Sequence, residues 1–258
     1  YTVTDITAVA NSDYTPITAQ VVFGSGETTK NVSIAVLNDA ISENNERFTF
    51  TLTGAQGGTL TPNTDTIVII EDDDSEIQFT SATANFSEND AMVTINLSRV
   101  GVTDTAVTVA YNTVDGTATG TDDFEPLDSM NVVSFGANET TATLQVTLKN
   151  DRIEEGAEDF SIQLGTPVGE ASVVGNSTIT ITIDDNDGTV QLLSATKSVT
   201  EDLPTVEITL SRTGFLGSEL KVPFTTVDGT ALAGSALAGS DYVASSGDAT
   251  FAINSATA

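Results

Sequence analysis

The sequence predicts an all-β chain, folded as tandem immunoglobulin-like β-sandwiches arranged end to end. Three observations carry this expectation. Thr, Val and Ile are abundant while the helix formers Lys, Arg and Gln are scarce. Short runs with period-two alternation are separated by Gly and Asp-Gly turn signals. Whole blocks of sequence recur at the spacing of a domain rather than of a solenoid unit.

The repeat is legible letter by letter. Phe23-Gly24-Ser25-Gly26-Glu27-Thr28-Thr29 returns as Phe135-Gly136-Ala137-Asn138-Glu139-Thr140-Thr141, 112 residues later. Leu97-Ser98-Arg99-Val100-Gly101 returns as Leu210-Ser211-Arg212-Thr213-Gly214, and Thr113–Ala118 returns unchanged as Thr226–Ala231, both 113 residues later. Three units follow: residues 1–74, a repeat lacking its first strands; 75–187, a complete repeat; and 188–258, a repeat lacking its last strands. Two partial units flanking a whole one suggest a window on a longer array. Head-to-tail completion, with copy one of the next chain filling copy three, is the alternative, because an incomplete sandwich exposes edges and core.

Within the middle unit the strands are expected in order. Ile77–Phe79 and Asn85–Ser87 form a first strand, continuous or broken between them. Met92–Ser98 alternates with period two. Thr105–Asn112, Asn131–Phe135, Thr141–Lys149, Glu158–Gly165 and Thr178–Ile183 complete a sandwich of about seven strands. In copy three, Ala231–Ser240 is a five-residue unit written twice, a surface insertion of low cost.

The charge excludes some functions. The 258 residues carry 37 acidic and 8 basic side chains, net −29. Nucleic-acid binding is excluded, since phosphate contacts require Lys and Arg. No apolar run approaches the roughly 20 residues of a membrane-spanning helix, so no membrane insertion is expected. Cys and His are absent. That removes disulfides, thiol nucleophiles, imidazole acid–base chemistry and the usual zinc sites. An enzyme is not expected.

The acids cluster and repeat. Four positions recur: Glu88 (Glu201 in copy three); Asp123 (Asp13, Asp241), always before an aromatic; Asp151, Glu155 and Glu158 (Asp39, Glu43, Glu46); and the terminal run Asp184, Asp185 and Asp187 (Glu71, Asp72, Asp73, Asp74). Each sits in a loop or at a strand end, and loops at one end of a sandwich converge. No Lys or Arg is expected among them. Two carboxylates about 5 Å apart repel by roughly 3 kcal/mol at an effective dielectric near 20. A cation would remove that cost, and an all-oxygen donor set suits Ca²⁺. Asp115-Gly116 and Asp228-Gly229 are read as turn signals.

Taken together, Thr-x-Asp-Gly-Thr-Ala, Asp-Phe or Asp-Tyr, Phe-Gly-x-x-Glu-Thr-Thr, Asn-Asp-x-x-x-Glu-x-x-Glu-x-Phe and Ile-x-Asp-x-Asp resemble the Calx-β domain over nearly the whole chain. The resemblance implies an immunoglobulin-like sandwich with a Ca²⁺ cluster at the end facing the next domain. It implies ligands at Glu88, Asp123, Asp151, Glu155, Glu158, Asp185 and Asp187, and a backbone carbonyl at Ile153. Asn150, Asn38 and Asn186 stand where family members often carry acids, which implies fewer or weaker ions in the middle copy.

The leading functional expectation is a calcium-binding structural or adhesive module of a long extracellular microbial surface protein or filament. Ca²⁺ would stiffen its junctions, and its partners would be neighbouring repeats of the same or the next chain. The alternative is a calcium-sensing regulatory domain of a membrane transporter.

Overall fold

A computed structural model describes residues 1–200, 202–229 and 241–258. Glu201 and the doubled unit Ala231–Ser240 lie outside the described residues. In chain order the strands are β1 (Thr2–Asp5), β2 (Glu46–Thr51), β3 (Asp65–Ile70), β4 (Ser75–Phe79), β5 (Thr83–Ser87), β6 (Met92–Gly101), β7 (Val107–Asp115), β8 (Asn131–Phe135), β9 (Thr141–Thr147), β10 (Glu158–Val168), β11 (Ser172–Val173), β12 (Thr178–Asp184), β13 (Val190–Leu192), β14 (Leu210–Arg212), β15 (Leu220–Thr225) and β16 (Ser246–Phe251). A single 3₁₀ turn, Glu88–Asp90, interrupts them among the described residues.

The middle repeat is a two-sheet sandwich. One sheet has the order β5-β12-β10-β7-β8 and the other β11-β4-β6-β9. Alternation supplies the core. Val93, Ile95 and Leu97 point inward from β6, Leu144 and Val146 from β9, and Ile179, Ile181 and Ile183 from β12. They meet Val107 and Val109 of β7 and Phe160 and Ile162 of β10.

The first strand is broken, as the expectation allowed, and its two halves lie in two different sheets. β4 pairs antiparallel with β6, whereas β5 pairs parallel with β12, Ile183 lying opposite Phe86. The chain changes sheet across residues 80–82, held by the Thr80 N–H to Asn96 O (3.1 Å) and the Thr180 N–H to Ala82 O (2.9 Å). This switch matters for function, because it delivers Ser87 and Glu88 to the end of β12, where the acidic run begins.

The flanking repeats are sparser in regular strands. β1, β2 and β3 form one antiparallel sheet, and Tyr14 stacks on Phe48 as Phe124 stacks on Phe160 in the middle repeat (centroids 4.3 and 4.0 Å). The counterpart of β9 in the first repeat is irregular. In the middle repeat β9 takes its hydrogen bonds from β6. Phe23 is 53% exposed, whereas its counterpart Phe135 is fully buried. Leu192 and Ile208 of the third repeat are likewise exposed, against buried Phe79 and Ile95.

Candidate metal centre

The strand ends gather the acids. In the middle repeat carboxylate oxygens of Glu88, Asp185 and Asp187 lie within 4.8 Å of one another, as do those of Asp123, Glu155 and Glu158. In the first repeat Asp13, Glu43 and Glu46 form the matching group and line a cleft together with Asp39, Asp72, Asp73 and Asp74.

Local sequence explains each placement. Asp123 follows a tight turn in which its Oδ2 accepts the Thr119 N–H at 2.7 Å; Asp13 does the same with the Val9 N–H at 2.5 Å. Short acidic side chains favour this bond to a nearby amide. The aromatic after each acid, Phe124 or Tyr14, is fully buried and pins the turn. Asp151 and Asp39 cap the next loop, accepting the N–H groups of Ile153 and Ile41 at 2.7 and 2.8 Å. Asp185 ties the two halves together. Its Oδ2 accepts the Glu155 N–H at 3.0 Å and its Oδ1 the Asp187 N–H at 2.8 Å.

Electrostatics register the crowding. Burial, a hydrogen bond shared with Asp187 and the charges of Asp187, Asp185 and Asp151 push the Glu88 carboxyl up to about 7. A hydrogen bond shared with Asp13, then burial and the charges of Asp13 and Glu43, push Glu46 up to about 7. Burial, followed by Asp72 and Asp73, raises Asp74 to about 6. Glu43, Glu155 and Glu158 are raised as well, burial first and neighbouring carboxylates next. Two buried carboxylate oxygens, Asp74 Oδ1 and Asp187 Oδ2, have no hydrogen-bond partner. Orphaned buried acceptors cost about 1–3 kcal/mol each. An all-oxygen donor set with unmatched buried acceptors fits a hard divalent cation of the Ca²⁺ type.

Some expected residues fall elsewhere. Asp184 is outside the clusters: Ile183 faces the core, so alternation turns Asp184 outward, where it accepts a hydrogen bond from Asn85 Nδ2 at 2.6 Å. The Asp151 carboxylate lies near enough to raise both Glu88 and Glu155 but belongs to neither three-residue group. Ile153 is exposed on the same loop. Asp241 is exposed and outside the three groups, and Glu201 lies outside the described residues.

The expectation of no basic residue among the acids is corrected. Lys149 lines the small cavity formed with Asp123, Glu155 and Glu158, and its Nζ donates to the carbonyls of Gly120 (3.0 Å) and Thr121 (2.8 Å). Its counterpart in the first repeat is Leu37, whose cavity is larger.

Sequence reasoning also missed Arg99. It is fully buried at the inner end of β6, its Nε donating to Ser75 Oγ at 2.8 Å and its Nη1 to Thr105 O at 2.7 Å. The signal was the recurring Leu-Ser-Arg-x-Gly, in which an inward-facing alternate position carries a charge. The acid at the Asp115 position of each repeat also makes a side-chain contact. Asp5, followed by Ile6 rather than glycine, accepts a hydrogen bond from the buried Tyr14 hydroxyl, and Asp228 of Asp228-Gly229 accepts one of 2.7 Å from Tyr242. In the middle repeat Phe124 has no hydroxyl, and Asp115 accepts the Gly120 N–H instead, at 3.1 Å.

The family described as Calx-beta domain matches residues 1–74, 71–187 and 183–257. Adhesion G-protein coupled receptor V1 of Danio rerio is 30% identical over 69% of this chain, which spans 3% of that protein. Sodium/calcium exchanger 2 of Mus musculus is 31% identical over 65% of this chain, which spans 20% of it. Among solved structures, the apo-form Calx CBD1 domain is 25% identical with a TM-score of 0.42, covering 44% of this chain and 98% of that one. The CBD12 tandem from CALX1.2 is 23% identical with a TM-score of 0.46, covering 70% and 73%. Three consecutive matches spanning nearly every residue identify the chain as a member of the Calx-beta domain family.

Proposed function

We propose that the chain is a calcium-binding regulatory module, in which Ca²⁺ taken up at the ends of the first and second repeats reports its concentration through their order. The observation that carries this reading is the pair of buried, unpartnered carboxylate oxygens, Asp74 Oδ1 and Asp187 Oδ2, each set among further acids. Glu88, Asp123, Asp151, Glu155, Glu158, Asp185 and Asp187, with the Ile153 carbonyl, would hold ions in the middle repeat. Asp13, Asp39, Glu43, Glu46, Asp72, Asp73 and Asp74 would do so in the first. The ion supplies charge neutralisation. The protein supplies the geometry, since capped loops hold Asp123 and Asp151 before any ion arrives.

The relatives support the sensor reading at least as well as the structural one expected from sequence. Several are named sodium/calcium exchangers, proteins of which this chain matches about a fifth. A structural part in a long surface protein keeps one specific support: the match to an adhesion receptor of which this chain spans 3%. An extracellular location belongs to that second reading.

Titration calorimetry with Ca²⁺ and with Mg²⁺, beside melting curves in excess chelator, tests the proposal. Ca²⁺ at about 100 times its dissociation constant should add roughly 2.7 kcal/mol to the stability of the repeat that binds it. Glu43→Gln and Glu155→Gln should each weaken binding in one repeat and leave the strands intact. No heat of binding and no change in melting would sink it.

A further inference from the structure

The same three parts meet wherever one repeat passes into the next. The first is the carbonyl of the last acid in the run. Asp74 O accepts the Val102 N–H at 2.8 Å, and Asp187 O accepts the Phe215 N–H at 2.7 Å. The second is a glycine with a left-handed backbone, Gly101 (φ 93) or Gly214 (φ 80), from the Leu-Ser-Arg-x-Gly segment of the following repeat. The third is the residue just before the second acid of the ligand loop, Ser42 or Glu154. A Cβ on Gly101 would sit 2.7 Å from Asp74 O and 2.8 Å from Ser42 Oγ. A Cβ on Gly214 would sit 2.7 Å from Asp187 O and 2.8 Å from the Glu154 carboxyl carbon. Only glycine suits both the backbone and the space. Behind each glycine a buried arginine, Arg99 or Arg212, holds the loop through its carbonyls.

The second joint has an additional part. The Glu154 carboxylate turns away from the acidic cluster, although Asp151 and Glu155 flank it on the loop. It accepts hydrogen bonds from Thr189 Oγ1 at 2.7 Å and Thr213 Oγ1 at 3.0 Å, and from the Thr189 N–H at 3.3 Å. At the first joint the corresponding positions are Ser42, Glu76 and Val100, which cannot form this group.

We propose that Gly101 and Gly214 are the pivots of one repeated joint that orients successive repeats without metal, and that Glu154 latches the second joint by gripping Thr189 and Thr213. This goes beyond the calcium reading and does not depend on it, because none of the three contacts uses a carboxylate of the clusters. Adjacent domains otherwise move relative to one another by default, so a built joint is a specific device.

The chain has no cysteine, so spin labels can be placed at will. Thr66→Cys with Gln145→Cys spans the first joint, and Gln145→Cys with Asp248→Cys the second. All three positions are exposed. Double electron–electron resonance in excess chelator should give a narrow distance distribution across both joints. Glu154→Ala should broaden the second distribution about twofold, toward free domain motion, and leave the first unchanged. Glu154→Gln, which keeps an acceptor oxygen, should restore part of the narrowness. An unchanged width in Glu154→Ala would overturn the latch. Distributions that narrow only when Ca²⁺ is added would overturn a metal-independent joint while leaving calcium binding intact. Failure to bind Ca²⁺ would leave the chelator result standing.

Discussion

The Asn186 amide donates a 2.9 Å hydrogen bond to the Glu88 carboxylate, closing the acidic end of the middle repeat with a neutral group. The matching position in the first repeat is Asp73. The exchange removes one charge from a crowded cluster and gives Glu88 a donor. Asn186→Asp should therefore act in opposite directions with and without metal. In chelator its melting temperature should fall, since another carboxylate joins Glu88, Asp185 and Asp187. With Ca²⁺ its affinity should rise by about tenfold, or about 1.4 kcal/mol, a fraction of the roughly 3 kcal/mol interaction of a close pair of charges. Calorimetric titration beside melting in chelator measures both.

The metal-free chain should be most stable in mild acid. Glu88 and Glu46 are raised to about 7 and Asp74 to about 6, against about 4 when unfolded. Between those values the folded state binds more protons than the unfolded one. Stability from these groups is therefore complete below about pH 4 and is lost as pH rises to about 7. Melting temperature in chelator should fall from pH 5 to pH 8. Ca²⁺ requires the ionised carboxylates, so its affinity should climb over the same interval with release of protons. A flat melting profile would refute the crowding.

Tyr14 joins the core to Asp5 at the end of β1. Its ring is buried against Phe48 and its hydroxyl donates to Asp5. Burial, with the Asp5 hydrogen bond and charge, pushes the phenol up to about 12. Tyr14→Phe keeps the stack and deletes the bond. It should cost about 1–2 kcal/mol, and it copies what the middle repeat already has at Phe124. Tyr14→Ala removes the stack as well and should cost about 3–5 kcal/mol. Chemical unfolding followed by far-ultraviolet circular dichroism separates the two.

Particular residues explain what could be read from sequence. Val93, Ile95 and Leu97, or Ile179, Ile181 and Ile183, betray their strands because alternation is local and each inward position is apolar. The convergence of Glu88 with Asp185 followed from the repeat, since four acidic positions at one period need a common cause. Asp184 was misassigned because a carboxylate at the end of a strand carries no mark of its face until the register of Ile183 is fixed. The division of β4 from β5 was hidden for a similar reason. Both segments are short and mix polar with apolar residues, and which sheet each joins is decided by distant β6 and β12. Lys149 escaped notice because its approach to the acids depends on the fold of the loop at Gly120 and Thr121. Glu154 looked like one more acid in a run of acids, and its direction is set by the following repeat.

Arg99 gives the strongest stability prediction. A guanidinium with 1% exposure is held by Ser75 Oγ, Thr105 O and Val102 O. Burial lowers its pKa, with the charge of Asp104 opposing. Replacing it with Met keeps much of the volume but leaves the buried Ser75 hydroxyl and the partly buried Thr105 and Val102 carbonyls without their guanidinium donors. The cost should be about 3 kcal/mol, or roughly 12–24 °C in melting for a domain of this size. Arg99→Lys should recover little, since one ammonium cannot span the planar fork's three acceptors. Arg212→Met should cost less. Ser75 is replaced there by Gly188, and the Arg212 Nε already lacks a partner. Differential scanning calorimetry of the three variants in chelator tests the order. An Arg212→Met loss as large as that of Arg99→Met would mean that the Ser75 hydroxyl contributes nothing, and that the loop carbonyls alone account for the burial of both arginines.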